Sequence, residues 1–472
     1  MGNAPPPEDL PTPINLMRGW PNPSLLPTAL IASAAATTLS DPTTAHAALL
    51  YGPDPGYEPC RKAIAHWLTT FYQPPSPVSA SRLCITGGAS QNLGCLLATY
   101  TDPTYTRNIW IVAPAYMLAF RIFEQDANFA GKLRGVPEDE QGVDLEFLRR
   151  EIRKSEERAQ DDGVDRPLLK AERAWAKVYK HVIYCVPTFA NPSSRTMSLR
   201  RREGLVRLAR EFDALVVADD VYDFLQWPAQ VAGEVQGKGL GVLQEAHLPR
   251  LVDVDRGLEG GAERVGADGF GNACSNGSFS KIAGPGMRTG WVEGTARFAY
   301  GVSQTGTTAS GGAPSQLTST YLTHLLTTHA LQTHITSTLL PAYTTRYASL
   351  LTAIQTHLLP LNFRLPQPHR EIVGGYFVWL ELPTPLTATA LARRCQEDED
   401  VVIAPGTIFE VPGDEKVGGG FEGHVRLCFA WEEEGLLGEG VRRVSRVAGK
   451  MLEEVNDGRT FVGGKVDLGA FK

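Results

Sequence analysis

Residues 275–291 read SNGSFSKIAGPGMRTGW and place a single lysine, Lys281, in a turn that is rich in serine and glycine. An apolar run precedes this turn and predicts a strand, and Pro285, Gly286 and Arg288 follow the lysine. A lysine amine can form an imine with an aldehyde, while small hydroxyl residues and an arginine can hold a phosphate. A lone loop lysine is usually only solvated, but these neighbours favour a chemical role for Lys281.

The segments on either side of this stretch alternate between short apolar runs and helical patterns. Four runs predict buried strands: RLCIT at 82–86, NIWIVAP at 108–114, HVIYCVP at 181–187 and ALVVADD at 214–220. Helical stretches separate them, and the stretch at 58–72 places apolar side chains on a single face: Ile64, Trp67, Leu68 and Phe71. This repeated order predicts an α/β fold with a mostly parallel central sheet that is covered by helices.

Further segments complete the predicted organisation. The densely charged residues 151–180 predict a solvated helical insertion. The glycine-rich region 230–275 is expected to consist mainly of loops, and LPRLVDVD at 248–255 within it predicts another strand. A long helical region covers 315–359, and later runs with strand character predict a smaller α+β domain: GGYFVWLELP, VVIAPG and HVRLCFAW. We expect residues 1–45 to form an N-terminal arm and helix at the small domain or a dimer interface. A large domain at 46–325, a small domain at 326–457 and a tail at 458–472 would follow.

The overall composition argues against several classes of protein. The chain has 472 residues and a net charge of −7, which disfavours a nucleic-acid footprint and a polybasic membrane surface. The seven cysteines are scattered without a CxxC pair, which is typical of buried thiols in a reducing compartment and not of a metal site. The sequence pattern matches neither a signal peptide nor a membrane span. We therefore expect a cytoplasmic protein that binds no metal, no nucleic acid and no membrane.

A second chemical signal is ALVVADDVYDFL at 214–225. Carboxylates at the carboxyl end of a buried strand lie where α/β sheets place their ligands. A partly desolvated Asp219 needs a positive partner, which a protonated pyridine nitrogen would provide, and Tyr222 could reach a phenolic oxygen on the same ring. The alternative is that Asp219 or Asp220 caps a helix and that Tyr222 only packs.

The turn TGGASQNL at 86–93 is a third signal. Glycine-rich sequence between a strand and a helix exposes backbone N–H groups at the positive end of the helix dipole, which is a seat for a phosphate. Many helices begin in this way, so the signal is weak when taken alone. A nicotinamide-binding loop is the natural competitor, but the GxGxxG pattern is absent here.

Two more polar residues stand next to predicted strands. Asn191 precedes Pro192, which holds it in an extended or turn conformation and would direct its amide into the crevice. Arg426 lies inside the apolar run HVRLCFAW, where a buried guanidinium needs an anion such as a carboxylate. A plain turn for Asn191 and an internal salt bridge for Arg426 are the alternatives.

In this order, the five segments resemble the class I/II aminotransferase family of fold type I pyridoxal-phosphate enzymes. The branch that contains 2-aminoadipate and aromatic aminotransferases and the aminotransferase-like half of MocR regulators is the most similar. The resemblance extends from INLMRGWPNPSLLP at 14–27 to HVRLCFAW at 424–431. It implies a fold type I transferase in which Lys281 holds pyridoxal 5'-phosphate as a Schiff base.

The resemblance also implies roles for individual residues. Asp219 matches the partner of the pyridine nitrogen, and Tyr222 and Asn191 match the two partners of the ring oxygen. Arg426 matches the arginine that grips the substrate α-carboxylate, with Gly19 close to the substrate. The other matches concern the phosphate and the ring face: Gly88, Ala89, Ser90, Ser278, Ser280 and Arg288 as phosphate ligands, Tyr116 as the stacking ring, and Tyr51 as a tyrosine given across a homodimer interface to the neighbouring phosphate.

The sequence departs from the family pattern in two places. Ser193 and Ser194 stand where the family usually has threonine and glycine after Asn-Pro. Ala113 and Ala115 stand where an acid and a threonine are common around the stacking tyrosine. Serine in place of glycine at position 194 alters a turn and not a catalytic group. The changes nevertheless weaken the prediction that the substrate is one of those usual for the family.

The predicted reaction is the transfer of an amino group from an amino acid to a 2-oxo acid in a ping-pong scheme, with Lys281 as general base. No arginine stands between Thr289 and Ala296, so a neutral side chain, aromatic or aliphatic, is favoured over a second carboxylate, with 2-aminoadipate kept as a candidate. A contact from Arg18 to the substrate side chain could reverse that preference.

Other functions fit part of the same pattern. A lyase, a decarboxylase or a carbon–carbon bond-forming enzyme would share the fold and the cofactor residues, so the motifs do not separate these reactions. A ligand-sensing regulator that binds the cofactor without catalysis would need a DNA-binding domain before the core, where the sequence is rich in proline and alanine and not basic. The complete set of catalytic residue types disfavours a non-catalytic scaffold.

Overall fold

The computed structural model describes residues 13–229, 247–262, 264–365 and 372–459. The strands that it contains are β1 (Ile14–Asn15), β2 (Leu83–Thr86), β3 (Asn108–Ala113), β4 (Leu133–Asp139), β5 (Gly142–Val143), β6 (His181–Cys185), β7 (Ala214–Asp219), β8 (Gln226–Pro228), β9 (Ala273–Ser278), β10 (Gly290–Glu293), β11 (Ile372–Gly374), β12 (Phe377–Glu381), β13 (Val401–Val402), β14 (Ala404–Pro405) and β15 (His424–Cys428).

The helices surround these strands. They are α1 (Thr28–Ser40), α2 (Pro42–Leu49), α3 (Glu58–Tyr72), α4 (Ala89–Tyr100), α5 (Leu118–Arg121), α6 (Leu145–Asp161), α7 (Leu199–Glu211), α8 (Leu251–Gly257), α9 (Ala296–Ser303), α10 (Gly306–Ala309), α11 (Gln316–Thr327), α12 (Ala330–His334), α13 (Leu340–His357), α14 (Ala388–Glu399) and α15 (Glu434–Asn456). π-Helical turns at Ile122–Asp126 and Ile335–Leu339 extend α5 and join α12 to α13.

The central sheet has the strand order β2-β10-β9-β7-β6-β3-β4-β5 in the described part of the chain. From β9 to β4 all neighbours are parallel, whereas β10 is antiparallel to β2 and β9, and β5 is antiparallel to β4. Every residue of β6 and β7 is buried, as expected for strands with helices on both faces. The predicted mostly parallel sheet is confirmed, and its parallel strands place their following loops at one edge.

Helix α3 forms where the spacing of apolar residues predicted a helix, and it buries the predicted face. Ile64, Trp67 and Leu68 are buried, and Phe71 packs at the border of the same core. The Trp67 ring stacks on Phe224 with centroids 4.0 Å apart. Burying one large apolar side chain contributes roughly 2–3 kcal/mol to folding. The buried side chains of this one face together are therefore enough to hold the helix against the core.

A smaller antiparallel sheet, β12-β15-β14, lies near helices α14 and α15. Strand β1 pairs in parallel with β13, with Ile14 opposite Val401, and the backbone N–H of Cys428 donates to the Leu16 carbonyl at 2.7 Å. The N-terminal segment is therefore joined to the carboxyl-terminal part of the chain, and residues 16–20 lie beside β15. The four domain bounds stay a prediction, and residues 1–12 of the arm and 460–472 of the tail lie outside the described residues.

The predicted strand at 248–255 is wrong, because Leu251–Gly257 form helix α8. Its valines and aspartates alternate as in a strand, but both sets of side chains are buried. Asp253 accepts hydrogen bonds from the backbone and the guanidinium of Arg250 and so caps the helix. Asp255 accepts a backbone hydrogen bond from Asn272. The carboxylates are paired inside the protein, so they do not mark the solvent face of a strand.

The predicted helical insertion at 151–180 is only partly correct. Helix α6 ends at Asp161, the next glycine, Gly163, has φ +67°, and the residues that follow have little regular structure. The Lys170 amine donates to the Leu97 carbonyl at 3.3 Å at the carboxyl end of α4. Charges that suggested a solvated helix therefore anchor a loop to a neighbouring helix.

The remaining predictions of local structure hold within the described ranges. Helices cover most of 315–359, with a break near Thr328. All seven cysteines are buried and free. Among the residues that the structure places, no helix combines the length and the apolar character that a membrane crossing requires.

Candidate active site

A cavity of about 250 Å³ lies at the edge of the central sheet, next to the residues where β7 and β9 end. We call it the sheet-edge cavity. A wider cavity of about 600 Å³ lies near the amino ends of β3 and β6, but several of its charged residues pair with each other: Arg107 and Lys180 both pair with Glu156, at 2.8 and 3.5 Å. The sheet-edge cavity instead collects most residues that the sequence singled out: Gly19, Ala89, Ser90, Tyr116, Asn191, Asp219, Tyr222, Ser278, Ser280, Lys281 and Arg288.

Lys281 lies in the turn after β9 and lines this cavity. Its Nζ donates a 2.8 Å hydrogen bond to the Gly19 carbonyl and lies 5.8 Å from the centre of the Tyr222 ring. Burial lowers the pKa of the Lys281 amine to about 8, because a charge is costly where little water can solvate it. More of this amine is neutral at physiological pH than of a surface lysine, and the neutral form attacks carbonyls and accepts protons.

Asp219 ends β7 and is held by residues from two neighbouring strands. Its Oδ2 accepts a 2.7 Å hydrogen bond from the Tyr184 hydroxyl on β6, and its Oδ1 accepts a 3.4 Å bond from Asn276 on β9. Asn92 of α4 donates to Asn276 at 2.8 Å and so fixes that amide. Burial raises the pKa of Asp219 to about 6, while the Tyr184 hydrogen bond and the charge of Lys281 act in the opposite direction.

The helix-cap alternative for this segment is wrong. β7 is followed by a turn without helix at 220–225. Asp220 accepts a hydrogen bond from the Ser275 hydroxyl on the neighbouring strand β9. Only Asp219 of the two adjacent carboxylates lines the sheet-edge cavity, because consecutive side chains at a strand end point to opposite sides.

The glycine-rich turn between β2 and α4 lies against Arg288. Gly88 has φ +96°, and a Cβ atom at this position would be 3.2 Å from Nη2 of Arg288. Arg288 Nη2 donates to the Gly87 carbonyl at 2.8 Å. Both the backbone conformation and the close guanidinium therefore favour glycine at position 88.

Hydroxyl groups and helix N–H groups stand beside the same guanidinium. Ser278 donates to Ser280 with a 2.9 Å separation between their oxygens. Ala89 and Ser90 form the first turn of α4, where backbone N–H groups have no partner within the helix. Helix N–H groups, two hydroxyls and one arginine are the donor set that a phosphate prefers.

Arg426 on β15 is fully buried beside the loop that carries Asn191. Its Nη1 donates a 2.7 Å hydrogen bond to Asn191 Oδ1, and its Nη2 donates to the Met17 carbonyl. The guanidinium lies 4.0 Å from the centre of the Phe377 ring, which lines the sheet-edge cavity. Burial lowers the pKa of Arg426 to about 10, so the group stays charged at neutral pH.

Of the remaining predicted site residues, one lies apart from the cavity. Tyr116 and Tyr222 both line it, and burial raises the pKa of Tyr116 to about 12, so its hydroxyl is protonated. Gly19 packs under Phe377, where a Cβ atom would be 2.9 Å from the ring. Tyr51 does not line the cavity of its own chain and is 91% exposed.

The loop after Asn191 shows how the chain accommodates the missing glycine. Ser194 has φ +59°, the left-handed conformation that glycine adopts more easily. Its hydroxyl donates a 2.6 Å hydrogen bond to the Phe377 carbonyl on β12. The serine therefore keeps the turn and adds a link between this loop and the small sheet.

Sequence reasoning missed several residues of the site. Tyr184 and Asn276 hold Asp219, and Trp20 lines the cavity. Tyr184 and Asn276 were visible as polar side chains inside buried strands, next to the strand that ends in Asp219. Their partner could not be chosen, because strand neighbours are set by the sheet order and not by the order along the chain.

This fold and this site define a fold type I pyridoxal-phosphate-dependent transferase. The model of the family "Aminotransferase class I and II" matches residues 21–444. The chain belongs to this family, whose cofactor is pyridoxal 5'-phosphate, and it is a transaminase.

Individual relatives and solved structures are similar to this chain over most of its length. The chain is 33% identical to the uncharacterized protein YER152C of Saccharomyces cerevisiae, over 85% of this chain and 90% of the relative. It is 26% identical to the α-aminoadipate aminotransferase LysN of Thermus thermophilus, solved with N-(5'-phosphopyridoxyl)-L-leucine; the TM-score is 0.66 with 94% and 93% of the chains covered. The multiple substrate aminotransferase of Thermococcus profundus has the same fold, with a TM-score of 0.72 at 24% identity and coverage of 94% and 92%.

Proposed function

We propose that this protein moves an amino group from an amino acid with a neutral, apolar side chain to a 2-oxo acid in a ping-pong scheme, with Lys281 binding the cofactor. The observation that carries this proposal is that an amine, a carboxylate and a set of anion donors line one cavity: Lys281, Asp219, and the group of Ala89, Ser90 and Arg288. These three groups fit the aldehyde, the ring nitrogen and the phosphate of pyridoxal phosphate. When bound, the cofactor supplies an aldehyde that captures the amino group and a cationic ring that accepts electrons.

Lys281 is the residue that holds and moves the proton. With a pKa of about 8, its amine can take the α-proton of the substrate and return it to a neighbouring carbon. The Gly19 carbonyl accepts a hydrogen bond from Nζ at 2.8 Å and so orients the amine. Asp219 provides the negative charge that keeps the ring nitrogen protonated, and Tyr184 orients that carboxylate.

Arg426 and Asn191 are proposed to bind the α-carboxylate of the substrate. A guanidinium matches a carboxylate with two parallel hydrogen bonds. Asn191 holds Arg426 at 2.7 Å and also lines the cavity, so it connects the guanidinium to the place where substrate enters. Burial of Arg426 strengthens its attraction to an anion, because little water competes for the charge.

The residues that line the cavity favour a substrate with a neutral side chain. Its described lining includes Trp20, Leu118, Ile122 and Phe377, and its positively charged members are Lys281 and Arg288, both assigned here to the cofactor. Arg18 packs its guanidinium over Trp20 at 5.0 Å and over Trp431 at 4.7 Å, and it does not line the cavity. The relative LysN was solved in complex with a phosphopyridoxyl derivative of leucine, an amino acid with an aliphatic side chain.

A homodimer is part of the proposal. Leu49, Leu50 and Tyr51 are consecutive and 67%, 69% and 91% exposed, which is a large apolar surface for one short segment. A second copy of the chain that covers this segment would bring Tyr51 to the phosphate end of the neighbouring cavity. We also infer a cytoplasmic location, which the seven free cysteines support.

The proposed function is tested by separate half-reactions. The protein purified with pyridoxal phosphate is mixed with phenylalanine, leucine or 2-aminoadipate, and the visible absorption band and the 2-oxo acid are measured together. We expect the band to disappear as one equivalent of 2-oxo acid forms per site, and a second 2-oxo acid to restore it. Lys281→Ala should show neither the band nor turnover, while the control Lys62→Ala, at a residue paired with Glu58 on the surface of α3, should match the wild type.

Other products would overturn the proposal. Release of carbon dioxide or an elimination product without a 2-oxo acid would indicate a decarboxylase or a lyase. A fast reaction with 2-aminoadipate alone would contradict the neutral side chain while leaving amino transfer intact. Retained turnover in Lys281→Ala would remove the lysine from its role.

A further inference from the structure

A pair of buried tyrosines holds the backbone of Lys281. The Tyr376 hydroxyl donates a 3.0 Å hydrogen bond to the Lys281 carbonyl, and the Tyr343 hydroxyl lies 3.1 Å from that of Tyr376. Each hydroxyl carries one hydrogen, and Tyr376 has given its own to the carbonyl. Tyr343 must therefore donate to Tyr376, which makes a directed chain from helix α13 through Tyr376 to the lysine.

The two tyrosines are rigid members of the core. Both are fully buried, and burial raises the pKa of both hydroxyls well above the usual range of tyrosine, so both keep their protons. Tyr376 follows two glycines, and a Cβ atom on Gly374 would be only 2.2 Å from the Leu225 carbonyl. The chain therefore passes tightly against its neighbours before it reaches Tyr376, and the phenol has little freedom to move.

Tyr376 also lies next to the other end of the same lysine. The Lys281 amine is 5.2 Å from the centre of the Tyr376 ring and 5.8 Å from that of Tyr222. The two rings meet edge to face with centroids 5.5 Å apart. One phenol thus holds the carbonyl of Lys281 with its hydroxyl and borders the path of the amine with its ring.

We propose that Tyr376 is a positioning residue for Lys281, and that Tyr343 sets the direction of the Tyr376 hydroxyl. The inference rests on the proposed role of Lys281 as the cofactor-binding and proton-moving residue. A lysine that alternates between these tasks has a long flexible side chain, so a fixed backbone limits the positions that its amine can sample. Tyr376 touches neither reacting atom and acts only through the lysine.

The test compares three variants with a matched control. Tyr376→Phe keeps the ring and removes the hydrogen bond to the Lys281 carbonyl. Tyr343→Phe removes the hydroxyl that donates to Tyr376 and leaves the Tyr376 hydroxyl in place. The third variant combines both substitutions. Tyr347→Phe is the control, since it lies one turn further along α13 and packs on Trp227 and Phe429 without a described contact to Lys281. Thermal unfolding of each variant separates a folding defect from a change in the site.

We expect Tyr376→Phe to lower kcat by about 10-fold with KM changed by less than about 2-fold. Tyr343→Phe should cost about 2-fold, and the double variant should be no slower than Tyr376→Phe, because Tyr343 acts through Tyr376. Independent, multiplying losses in the double variant would contradict the directed chain. A kcat within about 2-fold of the wild type for Tyr376→Phe would overturn the proposal.

A second readout uses the protein without turnover. Lys281 of the cofactor-free protein is labelled with acetic anhydride over a range of pH, and the labelled peptide is quantified by mass spectrometry. Burial places the pKa of this amine at about 8. A loosened lysine reaches more water, so the labelling midpoint in Tyr376→Phe should rise by about 0.5 pH units or more, toward the ordinary lysine value. An unchanged midpoint in Tyr376→Phe, with normal thermal unfolding, would count against a positioning role.

Failure of this inference can be told apart from failure of the proposed function. Borohydride reduction of the wild-type protein with bound pyridoxal phosphate marks the lysine that holds the cofactor, and peptide mass spectrometry identifies it. A label on another lysine would end both proposals. A label on Lys281 together with unaffected tyrosine variants would end only the positioning role.

Discussion

Arg426 on β15 and Asn191 on the loop after β6 form one hydrogen-bonded unit, with 2.7 Å between Nη1 and Oδ1. The contact joins the small antiparallel sheet to the edge of the large parallel sheet. Neither residue reaches the other through local sequence, since 235 positions separate them. Binding of a substrate carboxylate at this junction would depend on both parts of the fold.

Arg426→Lys should therefore weaken substrate binding more than cofactor binding. A lysine keeps the charge but cannot donate two parallel hydrogen bonds or keep the same contact with Asn191. We expect KM for the amino acid to rise by about 100-fold while the visible band of the bound cofactor stays unchanged. Steady-state kinetics and absorption spectra measure both, and Arg364→Lys, at a guanidinium that is 77% exposed, is the control. An unchanged KM would show that the α-carboxylate binds elsewhere.

Asp219→Asn should separate stability from function. The pKa of Asp219 is raised from 3.8 to about 6, so ionisation destabilises the cofactor-free protein as the pH rises from about 4 to 6. A pKa shift of this size lowers the free energy of unfolding by roughly 3 kcal/mol. This destabilisation is fully present above about pH 6 and absent below about pH 4. In urea unfolding the cofactor-free variant should be more stable than the wild type at neutral pH and equal to it in acid, yet bind pyridoxal phosphate weakly. Equal stability at both pH values would contradict the raised pKa.

Trp20→Ala should shift the choice of substrate. The Trp20 ring lines the sheet-edge cavity and is held by an edge contact with Trp431 at 5.8 Å. Removing it takes away an apolar wall that would contact a large side chain and not a methyl group. We expect kcat/KM to fall by about 10-fold for phenylalanine and by less than about 2-fold for alanine. The same losses for both amino acids would show that Trp20 does not contact the substrate side chain, and Trp175→Ala controls for the loss of a tryptophan outside the cavity.

Two substitutions of Ser194 should have different effects on stability. Ser194→Gly removes the left-handed strain at φ +59° together with the hydrogen bond to Phe377, and these changes oppose each other. Ser194→Ala keeps the strain and loses the bond. In urea denaturation we expect the glycine variant within about 0.5 kcal/mol of the wild type and the alanine variant about 1–2 kcal/mol less stable. An alanine variant as stable as the wild type would show that the serine hydroxyl does not hold the turn.

The proposed homodimer predicts complementation between two variants whose defects lie in different sites. Tyr51→Phe should weaken cofactor binding in the partner's site, while Lys281→Ala should abolish activity in its own site. In a mixed dimer, the site with an intact lysine would receive Tyr51 from the Lys281→Ala chain. We expect mixing after partial unfolding and refolding to restore tight cofactor binding to one site per mixed dimer, as measured by a pyridoxal-phosphate titration. No restoration in a dimer confirmed by sedimentation would place Tyr51 outside the neighbouring site.

Much of the site was predictable because its residues belong to local patterns. The Lys281 turn, the Gly88 turn and the acidic end of β7 each place residues of a particular chemistry at the end of a predicted strand, and the three signals support each other. The period-two pattern at 248–255 misled because its aspartates are buried and paired, so alternation no longer distinguished a solvent face from a core face. The charged stretch at 151–180 misled for a similar reason. A charged side chain such as Lys170 can be held by backbone carbonyls of a neighbouring helix instead of facing solvent.

The sequence alone determined most of the strands and helices that flank the site, the mostly parallel sheet and the chemical types of the candidate site residues. Those features depend on hydrophobic periodicity and on short motifs, which act within a few residues. Only the tertiary structure decided that Tyr184 and Asn276 hold Asp219, that Tyr376 holds Lys281 and that Arg18 packs on tryptophan rings outside the cavity. These contacts join residues far apart in the chain, and they follow from the sheet order and from close packing, which no local pattern contains.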